Sequence, residues 1–427
     1  MNMPDNRKGN IFRYGIHGIQ WAAIVIAFVL IFGLIIGELQ GFDSHMQIEY
    51  IQKLLFFSGI ALLLQASIGH KMPLFAGPAA VLLIGMLASQ GHDPAAPYTA
   101  MFYGGIILVI LSLTGILEYI RHLFTSRIIA AILLMISFSL IPTILSLLTS
   151  SRNGGGSVEN IIFSFVFLLL IFALYRVLRG LLHSTLVIWS LVLGVAGYGL
   201  LFSLTLPEGS HDILSLFSFS PILPATIDPG VIIAFLFCYI ALLMNDIGAI
   251  QSLEPLFLVS KMKERLKRGV CVTGIVNALS GLFGVIGGVN YSLSAGMVLA
   301  TGSASRYPLF AASAVVIVIS LSPFCIAYLL LVPPVIIGCM LLYVMTSQFA
   351  AALLVAIEGD PVHPFRFEDG LIIGLPILFG TMMAFLPDEI IKSMPYLLQP
   401  VLANGFVAGV LCAFIMEHIL FKRRDID

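Results

Sequence analysis

The feature that most limits how this chain can fold is a succession of apolar stretches that carry almost no charged side chains. Each is about 20 residues long, the length that a helix needs to cross the roughly 30 Å hydrocarbon core of a bilayer. The 427 residues are 59% hydrophobic and only 10% charged, with a mean hydropathy of +1.06, and a soluble domain cannot bury so much apolar surface. We therefore predict an all-α polytopic membrane protein whose main surroundings are the lipid bilayer.

Hydropathy, together with polar and Pro/Gly breaks, predicts fourteen transmembrane spans. Their approximate limits are residues 16–37, 50–68, 73–89, 100–120, 127–149, 159–177, 183–204, 230–250, 268–285, 288–301, 307–327, 332–355, 369–387 and 395–421. The longest non-apolar stretch, 205–229, separates a first unit of seven spans, 16–204, from a second unit, 230–421. A short N-terminal segment, 1–15, and a tail, 422–427, complete the predicted organisation.

The basic side chains are distributed unevenly between the two sides that this count defines. With the N-terminus inside, eighteen of the twenty-one Lys and Arg residues lie on the inner side, and only Lys53, Arg152 and Lys392 lie outside. Cytoplasmic loops of membrane proteins are enriched in Lys and Arg, and a miscounted span would scramble this distribution. The sequence therefore predicts a multi-pass protein of the cell (plasma) membrane with both termini in the cytoplasm.

Two units of seven spans must be inverted relative to each other, because an odd number of crossings reverses the chain in the membrane. The third and tenth spans then occupy equivalent places, and both open with an irregular Gly/Pro stretch before a half-length helix. These segments are "KMPLFAGPAAVLLIG" (71–85) and "GVIGGVNYSLSAGMVLATG" (284–302). Broken segments at matching places predict a binding site near the bilayer midplane. The alternative is that these glycines only let helices pack closely.

Five short motifs lie in order along nearly the whole chain. They are "YGIHGIQWAAIVIAF" (14–28), "HKMPLFAGPAA" (70–80), "NDIGA" (245–249), "NALSGLFGVIGGVNYSLSAGMVLATGSASR" (277–306) and "VPPVIIGCMLLYV" (332–344). Together they resemble the motifs of the nucleobase–ascorbate transporters, which include the bacterial uracil and xanthine permeases, and the run 277–306 is the most specific. The resemblance implies a core domain (spans 1–4 and 8–11) and a gate domain (spans 5–7 and 12–14). It also implies a nucleobase held between them, proton-coupled uptake and a homodimer.

The chain departs from the family pattern at several positions of the implied site. The family's eighth-span glutamate falls on Asn245, and its tenth-span glutamate falls on Leu293, followed by Ser294. The histidine of the first-span pattern falls on Trp21, and the second serine of the third-span pattern falls on Ala79. An amide donates and accepts hydrogen bonds where a carboxylate only accepts, so the edge of the base that fits must change.

Asn245 and Asp246 lie side by side near the end of an apolar run, where an ionisable residue is by default a functional candidate. Neighbours on a helix point about 100° apart, so the two side chains have different roles. We predict that Asn245 contacts the substrate and that Asp246 carries the coupling proton or hydrogen-bonds the broken tenth span. Alternatively, Asp246 only ties spans together through Ser or Thr hydroxyls. Gly248 is expected to let another backbone approach.

The remaining candidate residues follow from the broken spans and from the resemblance. The predicted substrate-binding residues besides Asn245 are Ala79, Ala80, Tyr291, Ser292, Leu293 and Gln20, and Gly77 and Gly288 are predicted to be structural at the site. Tyr291 is expected to stack on a base or to hydrogen-bond it. Gln20 equally suits a seam between packed helices. Glu417, near the end of the last span, is expected to reach the interface or to pair with Lys422.

No metal cluster, nucleophile constellation or phosphate loop is present in the sequence, which therefore predicts neither an enzyme nor a nucleic-acid-binding protein. The predicted function is secondary active uptake of a nucleobase, either a purine such as xanthine or urate, or uracil. No cofactor is expected beyond the coupling ion, H⁺, with Na⁺ as the alternative. The other functions that remain open are an anion carrier of the sulfate and bicarbonate type, a channel, and a nucleobase-binding protein that does not transport.

The predicted topology can be tested by epitope accessibility in intact cells. Tags at residue 2 and residue 427 should be protected from an external antibody, whereas tags at Asn153 and Gly209 should be labelled, because the count of spans places these two loops outside. Permeabilised cells provide the control, in which all four tags should react. Protection of Asn153 or Gly209 in intact cells would contradict the fourteen-span topology.

Overall fold

A computed structural model describes the residues from 7 onward in sixteen segments. They are 7–115, 123, 125–150, 156–179, 182, 186–202, 212–217, 221, 227–251, 253, 261–291, 294, 305–358, 364–387, 389–390 and 405–421. Helices dominate this part of the chain, and the only β-structure in it is one pair of three-residue strands. Apolar residues with few interruptions favour this outcome, since helices satisfy their own backbone hydrogen bonds within the bilayer.

The first half of the chain contains eight helices and one strand in the described residues. They are α1 (Arg7–Gln40), α2 (Ser44–Ser67), β1 (Ala76–Pro78), α3 (Ala80–Ala88), α4 (Ala96–Thr114), α5 (Ser126–Ser139), α6 (Ile141–Leu148), α7 (Ser157–Val177) and α8 (Leu186–Leu201). The second half contains α9 (Pro229–Gln251), α10 (Met262–Leu282), β2 (Gly288–Asn290), α11 (Tyr307–Ser320), α12 (Pro323–Leu329), α13 (Pro334–Glu358), α14 (Phe367–Ala384) and α15 (Gly405–Ile415), which continues as a π-helical turn, Met416–Leu420.

Seven of the described helices, together with the consecutive pair α5–α6 taken as one span, are long and apolar enough to cross a membrane, and the bent pair α11–α12 makes up to nine. The other predicted spans correspond to shorter helices, to α10, whose first turns contain the basic run, and to segments partly outside the described residues. The protein is therefore multi-pass. The predicted division into units at 16–204, 205–229 and 230–421 stays a prediction.

Three predicted spans differ in detail from the helices that form. α1 begins at Arg7, so the helix extends into the predicted N-terminal segment 1–15. The predicted span 307–327 is two helices that meet at 95°, because Ser322 caps the second helix and Pro323 occupies its first position. The predicted span 127–149 is likewise divided near Leu140 by the proline at 142.

The third span is interrupted as predicted, and its interruption is built from paired strands. β1 runs antiparallel to β2, with Ala76 opposite Asn290 and Pro78 opposite Gly288. α3 follows β1 after one residue and is only nine residues long. The tenth predicted span therefore begins irregularly, as the third does. Residues 295–304 lie outside the described part.

The closest helix pair is α4 against α10, and glycines set its spacing. A Cβ atom added to Gly105 would overlap the backbone nitrogen of Ala278 and would lie 2.6 Å from the carbonyl oxygen of Gly274. A Cβ atom on Gly281 would lie 2.5 Å from the amide nitrogen of Phe102. Small residues bring helix backbones together in this way in membranes.

Arg127 joins three helices on another side of the bundle. It lies at the start of α5 and donates to Asp369 of α14 at 2.6 Å and to Glu417 of the π-helical turn at 2.5 Å. The two carboxylates are buried, and the Arg127 side chain is only 11% exposed. Within the described residues the partner of Glu417 is thus Arg127. Lys422, the partner expected from the sequence, lies outside the described residues.

The glycine seam gives a stability prediction. Gly105→Ala should lower the thermal midpoint of the detergent-solubilised protein, because the added methyl group must push α4 from α10, at a cost of about 1–3 kcal/mol. Gly197→Ala on α8 is the matched control, since a Cβ there meets no described atom within 4 Å. That change should be neutral or stabilise by up to about 1 kcal/mol. Equal midpoints for the two variants would show that the seam tolerates a methyl group.

Candidate functional site

The strand pair at the broken spans satisfies backbone groups that a half-helix leaves open. Beyond the ladder itself, the Ala79 amide donates to the Gly287 carbonyl at 3.0 Å, and the Tyr291 amide donates to the Phe75 carbonyl at 3.0 Å. Unpaired backbone groups inside a bilayer cost several kcal/mol each, on the order of the transfer scales, so this pairing is what allows the chain to stop and restart a helix there.

Asp246 is fully buried directly beside β2. Its Oδ1 accepts from the Asn290 amide at 3.1 Å and from Asn290 Nδ2 at 2.7 Å, and its Oδ2 accepts from the Thr273 hydroxyl at 2.9 Å. Within the described residues no ion pair includes this carboxylate. Three hydrogen bonds from α10 and β2 therefore take the place of a cation in holding it.

The hydrogen bonds continue from Asp246 in two directions, and their donors all point toward it. Gln65 Nε2 donates to Thr273 Oγ1 at 3.0 Å, so the Thr273 hydroxyl is left to donate to the carboxylate. His70 Nδ1 accepts from the Met72 amide at 3.0 Å, so Nε2 carries the proton and donates to Asn290 Oδ1 at 3.3 Å. This network joins α2, the segment before β1, α9, α10 and β2.

Tyr291 lies over β1 rather than in open space. Its hydroxyl donates to the Pro78 carbonyl at 2.7 Å, and its ring centroid lies 4.8 Å from that of Phe28 and 5.6 Å from that of Phe75. A Cβ atom on Gly77 would come within 2.8 Å of the Tyr291 hydroxyl, so only glycine leaves room for this ring. The hydroxyl proton is already used, and the partly exposed ring is what remains for a solute.

The N-terminus of α3 is uncapped. Ala79 occupies the cap position, is fully buried and has no side chain that could accept a hydrogen bond. The amides of Ala80 and Val81 have no acceptor among the described residues. Such amides, together with the helix dipole, attract an acceptor atom. Ala80 is partly exposed at this end, whereas the side chain of Ala79 is not.

Asn245 lies at the level of the strands, because its neighbour Asp246 bonds Asn290, which pairs with Ala76. Its side chain is partly exposed and forms no hydrogen bond with a described residue. Gly248 differs from the expectation: a Cβ atom there would meet no described atom within 4 Å, so no backbone of the described chain approaches it. That glycine faces open space on α9.

Gln20 lies farther from the strand crossing than the other candidates. Its Oε1 is 3.3 Å from His17 Nδ1 one turn earlier on α1. Phe28, which touches Tyr291, lies eight residues later, or about 12 Å along the helix axis. Trp21 beside it is buried, and its indole N–H has no acceptor in the described part of the chain.

Two predicted residues, Ser292 and Leu293, lie outside the described residues. On either side of them, Gly288 and Ser294 are placed. A Cβ atom on Gly288 would lie 3.2 Å from the Gly77 carbonyl, so the crossing is tight at both predicted glycines. Ser294 Oγ accepts from the Phe75 amide at 3.1 Å, which ties the start of the tenth span to the chain before β1.

Sequence reasoning missed five buried polar residues that build the network. They are Gln65, His70, Thr273, Asn277 and Asn290. A signal for two of them exists in α10, where Gly269, Thr273, Asn277 and Gly281 recur every four residues and so share one face. Asn277 donates to the Gly288 carbonyl at 2.7 Å and accepts from the Tyr239 hydroxyl at 3.1 Å.

Comparison with known families agrees with this architecture. The model of the Permease family Xan_ur_permease matches residues 14–389. The chain belongs to this permease family. The family resemblance predicted from the motifs is thereby confirmed, and the family consists of transporters, not enzymes.

Relatives at low identity extend over almost the full length. The uric acid permease PucK of Bacillus subtilis is 23% identical over 423 residues, covering 96% of this chain and 95% of its own. The xanthine permease XanP of Escherichia coli K12 is 25% identical over 416 residues, covering 90% of this chain and 87% of its own. The xanthine permease of Bacillus subtilis is 21% identical over 426 residues, with coverage of 96% and 95%.

Solved structures with the same fold are more distant in sequence. The transmembrane domain of the cyanobacterial bicarbonate transporter BicA has a TM-score of 0.61 at 15% identity, covering 95% of this chain and 97% of that domain. Murine Slc26a9 in the inward-facing state has a TM-score of 0.63 at 14% identity, with coverage of 99% and 70%. The protein therefore shares the helical inverted-repeat transporter fold of these structures, and the exact count of fourteen spans stays a prediction.

The network around Asp246 predicts a stability effect at Thr273. Thr273→Val should lower the thermal midpoint by the equivalent of about 1–3 kcal/mol, because the carboxylate loses one of its three donors while staying buried. Thr273→Ser, which keeps the hydroxyl, should retain most of the stability. A valine variant as stable as the serine variant would show that the hydroxyl does not support the carboxylate.

Proposed function

We propose that the protein takes up a nucleobase, a purine such as xanthine or urate, or uracil, by proton symport with alternating access. Membership of the permease family supports the transport of a nucleobase, since its relatives bear the names of xanthine and uric acid permeases. The single observation that supports the coupled mechanism is the buried Asp246 that bridges α9 to the strand crossing. The predicted orientation, with both termini in the cytoplasm, belongs to the same proposal.

The solute would sit against the open N-terminus of α3 and Asn245. Xanthine, urate and uracil all carry ring carbonyl oxygens, and the free amides of Ala80 and Val81 offer donors to such an oxygen. The unused amide of Asn245 can both donate and accept, which suits an edge with alternating N–H and C=O groups. The partly exposed ring of Tyr291 provides an aromatic face nearby.

Protonation of Asp246 would change how α9 holds the strand crossing. Oδ1 already accepts two N–H groups of Asn290, and Oδ2 accepts the Thr273 hydroxyl. A proton added to either oxygen turns an acceptor into a donor, so one of these bonds must break or reverse. The proton thus loosens either β2 or α10 from α9. Asn290 lies next to Tyr291 in sequence, so this change reaches the solute.

Uptake by reconstituted vesicles tests the proposal. Purified protein in proteoliposomes should concentrate radiolabelled xanthine or uracil when the outside is acidified, and a protonophore should abolish accumulation. A panel of unlabelled bases then identifies the substrate by competition. A channel would equilibrate the base without accumulating it, and a sensor would bind it without uptake. Accumulation driven by a Na⁺ gradient at constant pH would identify Na⁺, and not the proton, as the coupling ion.

Two adjacent substitutions separate coupling from binding. Asp246→Asn should abolish accumulation driven by a proton gradient, while base exchange across the membrane largely survives, because the amide cannot carry the proton. Asn245→Ala should instead weaken binding by about 1–3 kcal/mol, as expected when a polar partner is removed. The two are matched controls for each other on α9. An Asp246→Asn protein that still concentrates base with normal pH dependence would make this carboxylate structural.

A further inference from the structure

A cavity that is separate from the midplane site opens at the end of the bundle where α1 ends and α2 begins. Its volume is about 480 Å³, within the range of small-molecule sites. The residues that line it are Gln40, Phe42, Met46, Glu49, Tyr50, Lys53, Asp93, Pro94, Ala95, Tyr98, Phe283 and Gly284. The predicted topology places this end outside the cell.

Segments adjacent to both broken spans line this cavity. Asp93, Pro94 and Ala95 belong to the turn between α3 and α4, and Phe283 and Gly284 belong to the turn between α10 and β2. Gly284 has a φ of +70°, a left-handed conformation that glycine adopts without strain. A molecule in this cavity therefore touches the α3–α4 turn and the α10–β2 turn.

Two hydrogen bonds involve tyrosines of the cavity wall. The Ile286 amide, two residues before β2, donates to the Tyr50 hydroxyl at 3.1 Å. The Tyr98 hydroxyl donates to Gln40 Oε1 at 3.1 Å. The amide N–H groups of Gln40 have no acceptor among the described residues. These N–H groups belong to a residue of the cavity wall and can donate to a solute.

The turn between α3 and α4 is fixed in place. His92 Nδ1 lies 2.6 Å from Asp228 Oδ2, and Asp228 Oδ1 caps α9 by accepting from the Gly230 amide at 2.9 Å. Partial burial raises the pKa of Asp228, but the hydrogen bonds from His92 and from the α9 amides outweigh it and hold that pKa below the ordinary value of an aspartic acid. The cavity wall is thus anchored to the helix that carries Asn245.

The rings of the cavity limit what it can hold. Glu49 and Lys53 on its wall form an ion pair with each other at 2.9 Å. Four aromatic rings (those of Phe42, Tyr50, Tyr98 and Phe283) line the remaining wall, and flat apolar faces of this kind suit a planar solute.

We propose that this cavity is a second solute site, which captures a planar heterocycle of nucleobase size from the outer medium before it reaches the midplane. The Gln40 amide donates to a ring carbonyl, and the aromatic rings contact the faces of the solute. The identity of the solute rests on the proposed function. The site itself rests on the cavity, its unused donor and its link to β2.

Equilibrium binding on the full-length protein in detergent tests the site, with radiolabelled uracil as the probe. The wild type should bind two molecules per chain. Gln40→Leu removes the donor and Met46→Trp fills the mouth of the cavity, so each should abolish one class of site, and Asn245→Ala should weaken the other class. Gln90→Leu, an exposed glutamine at the same end of the bundle, is the matched control and should bind two.

Uptake kinetics in proteoliposomes provide the second readout. Loss of a capture site should raise the KM of uptake by about tenfold, the ratio that one lost hydrogen bond gives, and should leave the maximal rate unchanged.

The outcomes separate the two proposals. One bound uracil per chain in the wild type, or cavity variants that match Gln90→Leu in both assays, would overturn the capture site and leave the proposed function intact. Two bound molecules with a Gln40-dependent class but no concentrative uptake would instead contradict the proposed function and support the site. Absence of any uracil binding by the wild type would overturn the capture site as described.

Discussion

The pairing of β1 with β2 is the constraint on which the rest of the site depends. A chain that interrupts a helix within a bilayer exposes amides and carbonyls that no water can satisfy, and pairing two such interruptions solves the problem for both. Ala76 opposite Asn290 and Pro78 opposite Gly288 fix the register of the crossing. This register decides which side chains meet α9, so the position of Asp246 follows from it.

Asp246 is tolerated in the membrane because its partners come from two other elements. Thr273 of α10 and Asn290 of β2 together supply three donors, and neither is near Asp246 in sequence. A buried carboxylate held only by neutral donors is sensitive to any change in their arrangement, since no cation of the described residues compensates its charge. Under the proposed mechanism, the contact that stabilises the crossing also carries the coupling proton.

Part of the site could be predicted because it depends on the local chain. Gly77 and Gly288 were expected to be structural, and both lie at the tight crossing, where a Cβ atom would meet Tyr291 or the opposite strand. The interruption of the third span follows from its prolines and glycines. The outcome at Gly248 and at Tyr291 could not be predicted, since a glycine's neighbours and a hydroxyl's acceptor lie on other spans. The pairing of Glu417 with Arg127 could not be predicted either, because Arg127 lies on another span.

The sequence by itself determined the class of the protein, because hydropathy, basic-residue placement and glycine/proline breaks act over about 20 residues and need no knowledge of partners. It also determined the family, whose motifs extend over residues 14–389. Only the tertiary structure decided that His70, Asn290 and Asp246 form one network and that Gln40 and Tyr98 line a separate cavity. Hydrogen bonds act over about 3 Å, so residues far apart in sequence acquire these roles only when helix packing brings them together.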